Sequence, residues 1–379
     1  MNIILLPPFL YEIFALFLQN KKVMSSSQRI VFLDYLRVIA CFMVILVHVT
    51  EQFYAMPTGV ILDNESNRFW VAAVNSICRP AVPLFVMASS YLLLPLPYPT
   101  GVFFRKRFIR VLVPFIFWLA MYAIIPPLLV DSTGIDGMLA NVGRMLYNFT
   151  DWSGHLWFIY MLMGVYCLMP IISPWLKEVS KKGEAIFLLV WFITTFHHYA
   201  KSQLGGVLGE CTWNEFHALY YYSGYIGYVV LAHFIRTHIK WGIRKSLAIG
   251  LPCIIVGYLV TAYGFFHNSL ATTDYYIAEL SWRFCTFNIA LMTFGMFIIL
   301  RHIDSVAKWL YTPVKKISAL SYGIYLMHIF VLLFMFRWMN PLIDSTVLTM
   351  AVVSVATFTS CVFITWILSK IPGSKYIIG

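Results

Sequence analysis

Residues 36–51 read LRVIACFMVILVHVTE, and twelve of these sixteen residues are plainly apolar. The segment nevertheless keeps Arg37 near one end and His48 near the other. On an α-helix, eleven residues turn by about 1100°, three full turns plus about 20°, at about 1.5 Å rise each. The two side chains therefore share one face, about 16 Å apart along the axis. A charge at the centre of a bilayer-spanning helix costs about 2.5–3.5 kcal/mol even on the lenient insertion scale. Two readings follow. In one, the arginine snorkels to the headgroups and the histidine lies at the interface, unrelated to it. In the other, the face carries a ligand lying lengthwise, with its anionic part at Arg37 and its reactive end at His48. Glu51, three residues after His48, lies on the same face and is placed either to hold the imidazole in one tautomer or to serve as an interfacial charge. Asp34 either pairs with Arg37 or caps the helix start.

The rest of the chain has the same character. Of 379 residues, 60% are hydrophobic and only 11% charged, with mean hydropathy +0.78. Soluble globular domains carry about 25% charged residues, so this composition excludes a soluble globular protein and leaves an integral membrane protein. The seven cysteines form no closely spaced pair, which argues against a zinc site or a disulfide framework.

Ten stretches approach the roughly 20 apolar residues that a spanning helix needs: 31–51, 71–94, 111–130, 156–175, 185–199, 219–235, 246–266, 282–300, 319–338 and 346–368. The fifth is the shortest. Twenty of the 27 basic residues fall before the first stretch, after the last, or between alternate ones, as in Arg105-Lys106-Arg107 with Arg110. The remaining connections hold only Arg68, Arg144, Lys201 and Arg337, among acids such as Asp131, Asp151, Glu210 and Glu279. Basic residues are retained on the cytoplasmic side of short loops. The expected fold is therefore all-α and polytopic, with about ten transmembrane helices and both termini cytoplasmic. The net charge of +11 then reports topology and not a nucleic-acid partner. Residues 1–23 are interrupted by Pro7-Pro8 and Glu12 and carry their lysines after the apolar run. That is the wrong order for a signal peptide, and they are expected to be a peripheral extension or an over-long start, with 24–379 a single membrane domain.

Three cations remain inside spans: Arg37, Arg79 and Arg283. Arg283 is near enough to an end to snorkel. Arg79, in NSICRPAVPLFVMASSYLLL, is expected to face a protein interior. The run GHLWFIYMLMGVYCLMP places His155 and Trp157 at the entry of the fourth span, and SALSYGIYLMHIF places Tyr325 and His328 one turn apart in the ninth. Histidine inside a span is a functional candidate. A metal site of His48, His155 and His328 is conceivable, but no ligand spacing supports it and no metal is expected.

Taken together, these residues resemble the acyltransferase-3 family of bacterial membrane acyltransferases. The resemblance runs from about Phe32 to Leu368. It is carried by Arg37 and His48, RPAVPLFVMASSYLLL (79–94), FFRKRFIRVLVPFIFW (103–118), HLWFIYMLMGVYCLMPII (155–172) and SYGIYLMHIF (321–330). Within the family the chain looks most like the O-acetyltransferases of the enterobacterial common antigen type. The resemblance implies a multi-pass protein of the bacterial cytoplasmic (inner) membrane. It would transfer a short acyl group, commonly acetyl, from cytoplasmic acyl-CoA to a hydroxyl of an envelope polysaccharide or glycolipid. His48 takes the place of the family's essential histidine and Arg37 that of its basic partner. In that chemistry His48 is the expected general base, oriented by Glu51. Arg37, Arg79, Arg105, Arg107 and Arg110 are expected on the phosphates of coenzyme A. Ser89, Tyr91, His155, Trp157, Tyr325 and His328 are expected to line the substrate path. Acyl-CoA is then a substrate, and no resident cofactor is expected. Where the family usually has Ser-Gly-Tyr, this chain has Ser89-Ser90-Tyr91, which leaves less room for a close backbone approach. No soluble esterase domain accompanies the membrane part. The competing class is a transporter exporting a small acid or an acylated product, which intramembrane Arg and His would also serve.

Overall fold

A helix with so few polar residues belongs in a protein interior or a lipid bilayer, and the segment holding Arg37 and His48 is largely interior. In the computed structural model, which describes residues 29–379 apart from 63, 132, 215–218 and 305, helix α1 (Val31–Glu51) is buried along most of its length. The residues Phe32–Gly379 form one compact unit; the expected extension 1–23 lies outside the described residues. The chain continues as α2 (Glu65–Cys78), α3 (Ala81–Leu93), α4 (Thr100–Leu129), α5 (Gly134–Arg144), α6 (Trp157–Glu178), α7 (Lys181–Thr194), α8 (His197–Leu204) and α9 (Ile226–His238). It closes with α10 (Ile243–Ala271), α11 (Tyr275–Ala278), α12 (Phe287–Leu300), α13 (Lys308–Met339), α14 (Thr346–Leu368) and α15 (Lys375–Ile378). A two-stranded hairpin, β1 (Ala55–Met56) and β2 (Gly59–Val60), follows α1.

The protein is an all-α, polytopic membrane protein. Among the described residues, eight helical stretches are long and apolar enough to cross a membrane, counting α2–α3 as one. The stretches expected as the fifth and sixth spans are shorter than the sequence suggested. Helix α7 has 14 residues and α9 has 13, about 20 Å each at 1.5 Å per residue against a hydrocarbon core of about 30 Å. The two pack against each other. Buried Glu184 of α7 accepts from His233 Nδ1 (2.8 Å) and His238 Nε2 (3.0 Å) of α9, and a Cβ on Gly227 would enter the Trp191 ring.

Small residues decide how closely the longer helices approach, as expected in lipid, where apolar burial alone does not favour association. Helices α10 and α12 meet along Gly250, Gly257 and Gly295, where an added Cβ would strike the backbone of the opposite helix. Asn288 crosses the same seam, donating from Nδ2 to Thr261 Oγ1 (2.8 Å) and Ser281 O (2.6 Å). Around α1, the buried Asp34 carboxylate accepts from Tyr311 (2.7 Å) and Ser318 (2.7 Å) of α13. Those hydroxyls, beyond either role expected from sequence, fix α13 beside α1. The hairpin is pinned to the connection before α12: Thr273 O accepts from Val60 N (2.8 Å), and Tyr275 OH donates to Met56 O (2.6 Å).

Candidate active site

The face of α1 that carries Arg37 and His48 lines a cavity of about 410 Å³ between α1, α3, α4, α6 and α13. Both residues reach it, with Val44 and Val47 between them. At the Arg37 end, Arg107 and Arg110 of α4 join the wall, with Tyr166 of α6 beside them and Ser89 of α3. This end is strongly basic. Clustering follows from α4's sequence, since Arg107 and Arg110 are three apart and so adjacent on one helical face.

At the other end His48 Nδ1 donates to Glu51 Oε2 at 2.6 Å. In the neutral tautomer that this bond selects, the proton is on Nδ1 and the lone pair is on Nε2. Two further histidines close around it. The His48 ring centroid lies 5.1 Å from that of His328 and 6.2 Å from that of His155, and His155 and His328 are 5.1 Å apart. His328 Nδ1 donates to Tyr325 O (2.5 Å), and Tyr325 OH donates to His155 O (2.5 Å). The Nε2 atoms of His155 and His328 are buried without a hydrogen-bond partner among the described residues. Although three imidazoles converge here, among the described residues no group of three or more His, Cys, Asp or Glu side chains is arranged to hold a metal ion.

A second depression, of about 450 Å³, adjoins the cavity. It shares His48, Glu51, His155 and Trp157 with the cavity and adds Gln52, Asp151, Trp152 and Gly154. The His48–Glu51 pair thus lines both pockets, one basic at its Arg37 end and one that mixes indoles, polar groups and the apolar Ile329 and Leu333.

The structure gathers most of the residues expected from sequence. His48, Glu51, Arg37, Arg79, Arg107, Arg110, Ser89, His155, Trp157 and Tyr325 all line the cavity. Three expected residues do not. Arg105 is exposed on the other side of α4, because the two-residue step to Arg107 turns the side chain by about 200°. The Tyr91 ring packs between Phe32 and Phe297 with Arg236 over it at 5.5 Å, two residues past Ser89 and so on the opposite face. His328 is fully buried one layer behind the wall, touching His48 and His155.

Arg79 also departs from the expected grouping. It lines the cavity near Glu51, away from the basic end, with Glu279 close by. From sequence Glu279 counted only as an acid of an outer connection, which is ordinary there. Its carboxylate accepts from the buried Tyr54 hydroxyl at 2.8 Å. Burial pushes this carboxyl above its usual range, against the lowering by Arg79 and the Tyr54 bond. Tyr166, Ser318 and Cys78 also line the wall; each lies within a stretch quoted above, but none was singled out there as a site residue.

The family model for the acyltransferase-3 family, described as "Acyltransferase domain", matches residues 30–367. The chain belongs to the acyltransferase-3 family. It is 25% identical over 369 residues to the Staphylococcus aureus protein named "Probable poly-beta-1,6-N-acetyl-D-glucosamine export protein", covering 92% of this chain and 95% of that one. It is also 25% identical over 309 residues to the Bacillus subtilis protein named "Putative membrane-bound acyltransferase YfiQ", covering 77% of this chain and 78% of that one. No solved structure matches it significantly. The chain is thus a multi-pass membrane protein of an acyltransferase family, and its cavity is a site at which acyl chemistry is to be sought.

Proposed function

We propose that this acyltransferase-3 protein moves an acetyl or other short acyl group from acyl-CoA to a hydroxyl of a cell-envelope polysaccharide or lipid-linked sugar, with His48 as general base. The observation that carries this reading is the His48–Glu51 pair lining both pockets. The basic one suits the phosphates of coenzyme A, which Arg37, Arg107 and Arg110 would hold. The other, with Trp152 and Trp157, suits a sugar ring. The charge asymmetry of the loops supports placing the basic opening and both termini in the cytoplasm of a bacterial cell whose inner membrane holds the protein.

A sugar hydroxyl is a weak nucleophile. His48 Nε2 takes its proton as the oxygen attacks the thioester carbonyl, and the imidazolium then protonates the departing CoA thiolate. Glu51 fixes the tautomer beforehand and stabilises the imidazolium as it forms. General-base assistance of this kind contributes typically 10²–10⁴-fold.

The decisive experiment follows radiolabelled acetyl from acetyl-CoA into envelope glycans, in membranes bearing wild-type protein or His48→Ala. Label that depends on His48 supports transfer, and the labelled fraction identifies the acceptor. Equal labelling by His48→Ala removes His48 from the chemistry. A second reading is export of a small acid or an acylated product, favoured by the name that the S. aureus relatives carry. It predicts His48-dependent flux of a preformed solute with no thioester consumed.

A further inference from the structure

The arginines of the cavity differ in what surrounds them, and the surroundings of Arg79 argue against a phosphate. Its guanidinium stacks 4.3 Å above the Trp282 ring, and Trp282 is held by an Nε1–H donated to Ser76 Oγ at 2.8 Å. Arg79 Nε donates to Asn75 Oδ1 at 2.6 Å, and Asn75 Nδ2 donates to Thr50 Oγ1 at 2.7 Å. The side chain is thus fixed on two sides and only 5% exposed, yet its Nη2 has no hydrogen-bond partner among the described residues. Glu51 and Glu279 both lie within electrostatic reach of it. A phosphate brought here would meet two carboxylates. A neutral carbonyl oxygen that gains charge only during reaction would meet one unused N–H donor in a desolvated wall.

Arg79 also stands at a break in the chain. Helix α2 ends at Cys78, Arg79 and Pro80 make a turn, and α3 opens at Ala81. The N–H groups that open a helix have no intrahelical acceptor and mark the positive end of its dipole; here Pro83 has none and Leu84 N donates to Pro80 O at 2.9 Å, which leaves those of Ala81 and Val82. Ala81 and Val82 at that opening are buried and line the same cavity as Arg79.

We propose that Arg79 Nη2 and the opening turn of α3 form the oxyanion site of acyl transfer, receiving the thioester carbonyl oxygen. This deepens the function proposed above and rests on it. As the acceptor oxygen bonds to the carbonyl carbon, the C=O π pair moves onto oxygen, where Arg79 and the N–H groups of Ala81 and Val82 hold it. The pair returns as the C–S bond breaks, and the proton that His48 took from the acceptor goes to the CoA sulfur. Preorganised donors aimed at developing charge are commonly the largest single contribution in acyl transfer, and loss of one costs about 10²–10³ in rate. Arg79 is then a catalytic residue, distinct from the phosphate-binding Arg37, Arg107 and Arg110.

The test uses the full chain in lipid nanodiscs with acetyl-CoA labelled with ¹³C at the carbonyl. In wild type, difference infrared spectra should show the bound carbonyl stretch moved to lower frequency. Arg79→Gln should bind acetyl-CoA within two-fold of wild type, lose that shift, and cleave thioester about 10²–10³-fold more slowly. The loss should be the same with S-acetylpantetheine, which lacks the nucleotide phosphates. Arg79→Lys, which keeps a cation, should retain part of both the shift and the rate, so a folding defect in the glutamine variant is separable. Tenfold weaker acetyl-CoA binding by Arg79→Gln, with undiminished use of S-acetylpantetheine, would make Arg79 a phosphate ligand and overturn the proposal. So would an unchanged carbonyl shift. Failure of wild type to bind acetyl-CoA would instead remove the donor assignment itself, before any variant is compared.

Discussion

Replacing Glu51 by Gln tests the centre of the mechanism with the least disturbance. The carboxylate accepts from His48 Nδ1 at 2.6 Å, and an amide oxygen in the same place still accepts, so the tautomer survives and only the charge is lost. Hydrogen bonds to charged groups contribute about 1.5–3 kcal/mol net and neutral ones about 0.5–1.5. The difference, about 1.5 kcal/mol, acts when His48 becomes an imidazolium. A bare Coulomb figure of about 4 kcal/mol for charges 4 Å apart is too large here, because the two side chains are 17% and 30% exposed and water screens them. At 1.36 kcal/mol per tenfold, Glu51→Gln should lower kcat about tenfold. Glu51→Ala also frees the ring, and its loss should approach the roughly 10²–10⁴-fold expected for His48→Ala. The assay is label transfer from acetyl-CoA by purified protein under donor saturation. The His48→Ala/Glu51→Ala double variant should be no slower than His48→Ala, since the two groups act as a unit. Full activity in both Glu51 variants, or additive losses in the double variant, would refute the reasoning.

Arg107→Ala and Arg110→Ala should each raise the half-saturating acetyl-CoA concentration several-fold while leaving kcat within about two-fold, measured in the same assay; a change confined to kcat would move both residues out of donor binding. Gly257→Ala should destabilise the α10–α12 seam, where the new Cβ meets Asn288 O and Met292, by about 1–3 kcal/mol. Thermal melting in detergent reports that loss, and an unchanged midpoint would mean the helices part at no cost. For topology, green fluorescent protein fused after Gly379 should fluoresce, and alkaline phosphatase inserted in the Asn340–Leu342 turn should be active; the reverse pattern would invert the assignment of the basic opening to the cytoplasm.

The sequence by itself determined the class of protein and one face of one helix. Low charge and apolar runs require lipid or a protein interior around α1, and the 3.6-residue period alone puts Arg37, His48 and Glu51 on one side. The same local regularity placed Arg107 with Arg110. It also allows Arg105 to be excluded, although counting basic residues as a cluster obscured that. Periodicity says which residues share a face and nothing about which faces meet. The convergence of His155 and His328 on His48, the pairing of α7 with α9, and the position of Arg79 between Glu51 and Glu279 came only from tertiary structure. Their causes are long-range: glycine seams that set helix separation, the Glu184 tie between α7 and α9, and the Tyr54–Glu279 bond that brings a distant connection over the end of α1. A buried arginine reads in sequence only as a cation in the membrane; the two carboxylates beside it decide which anion it can receive.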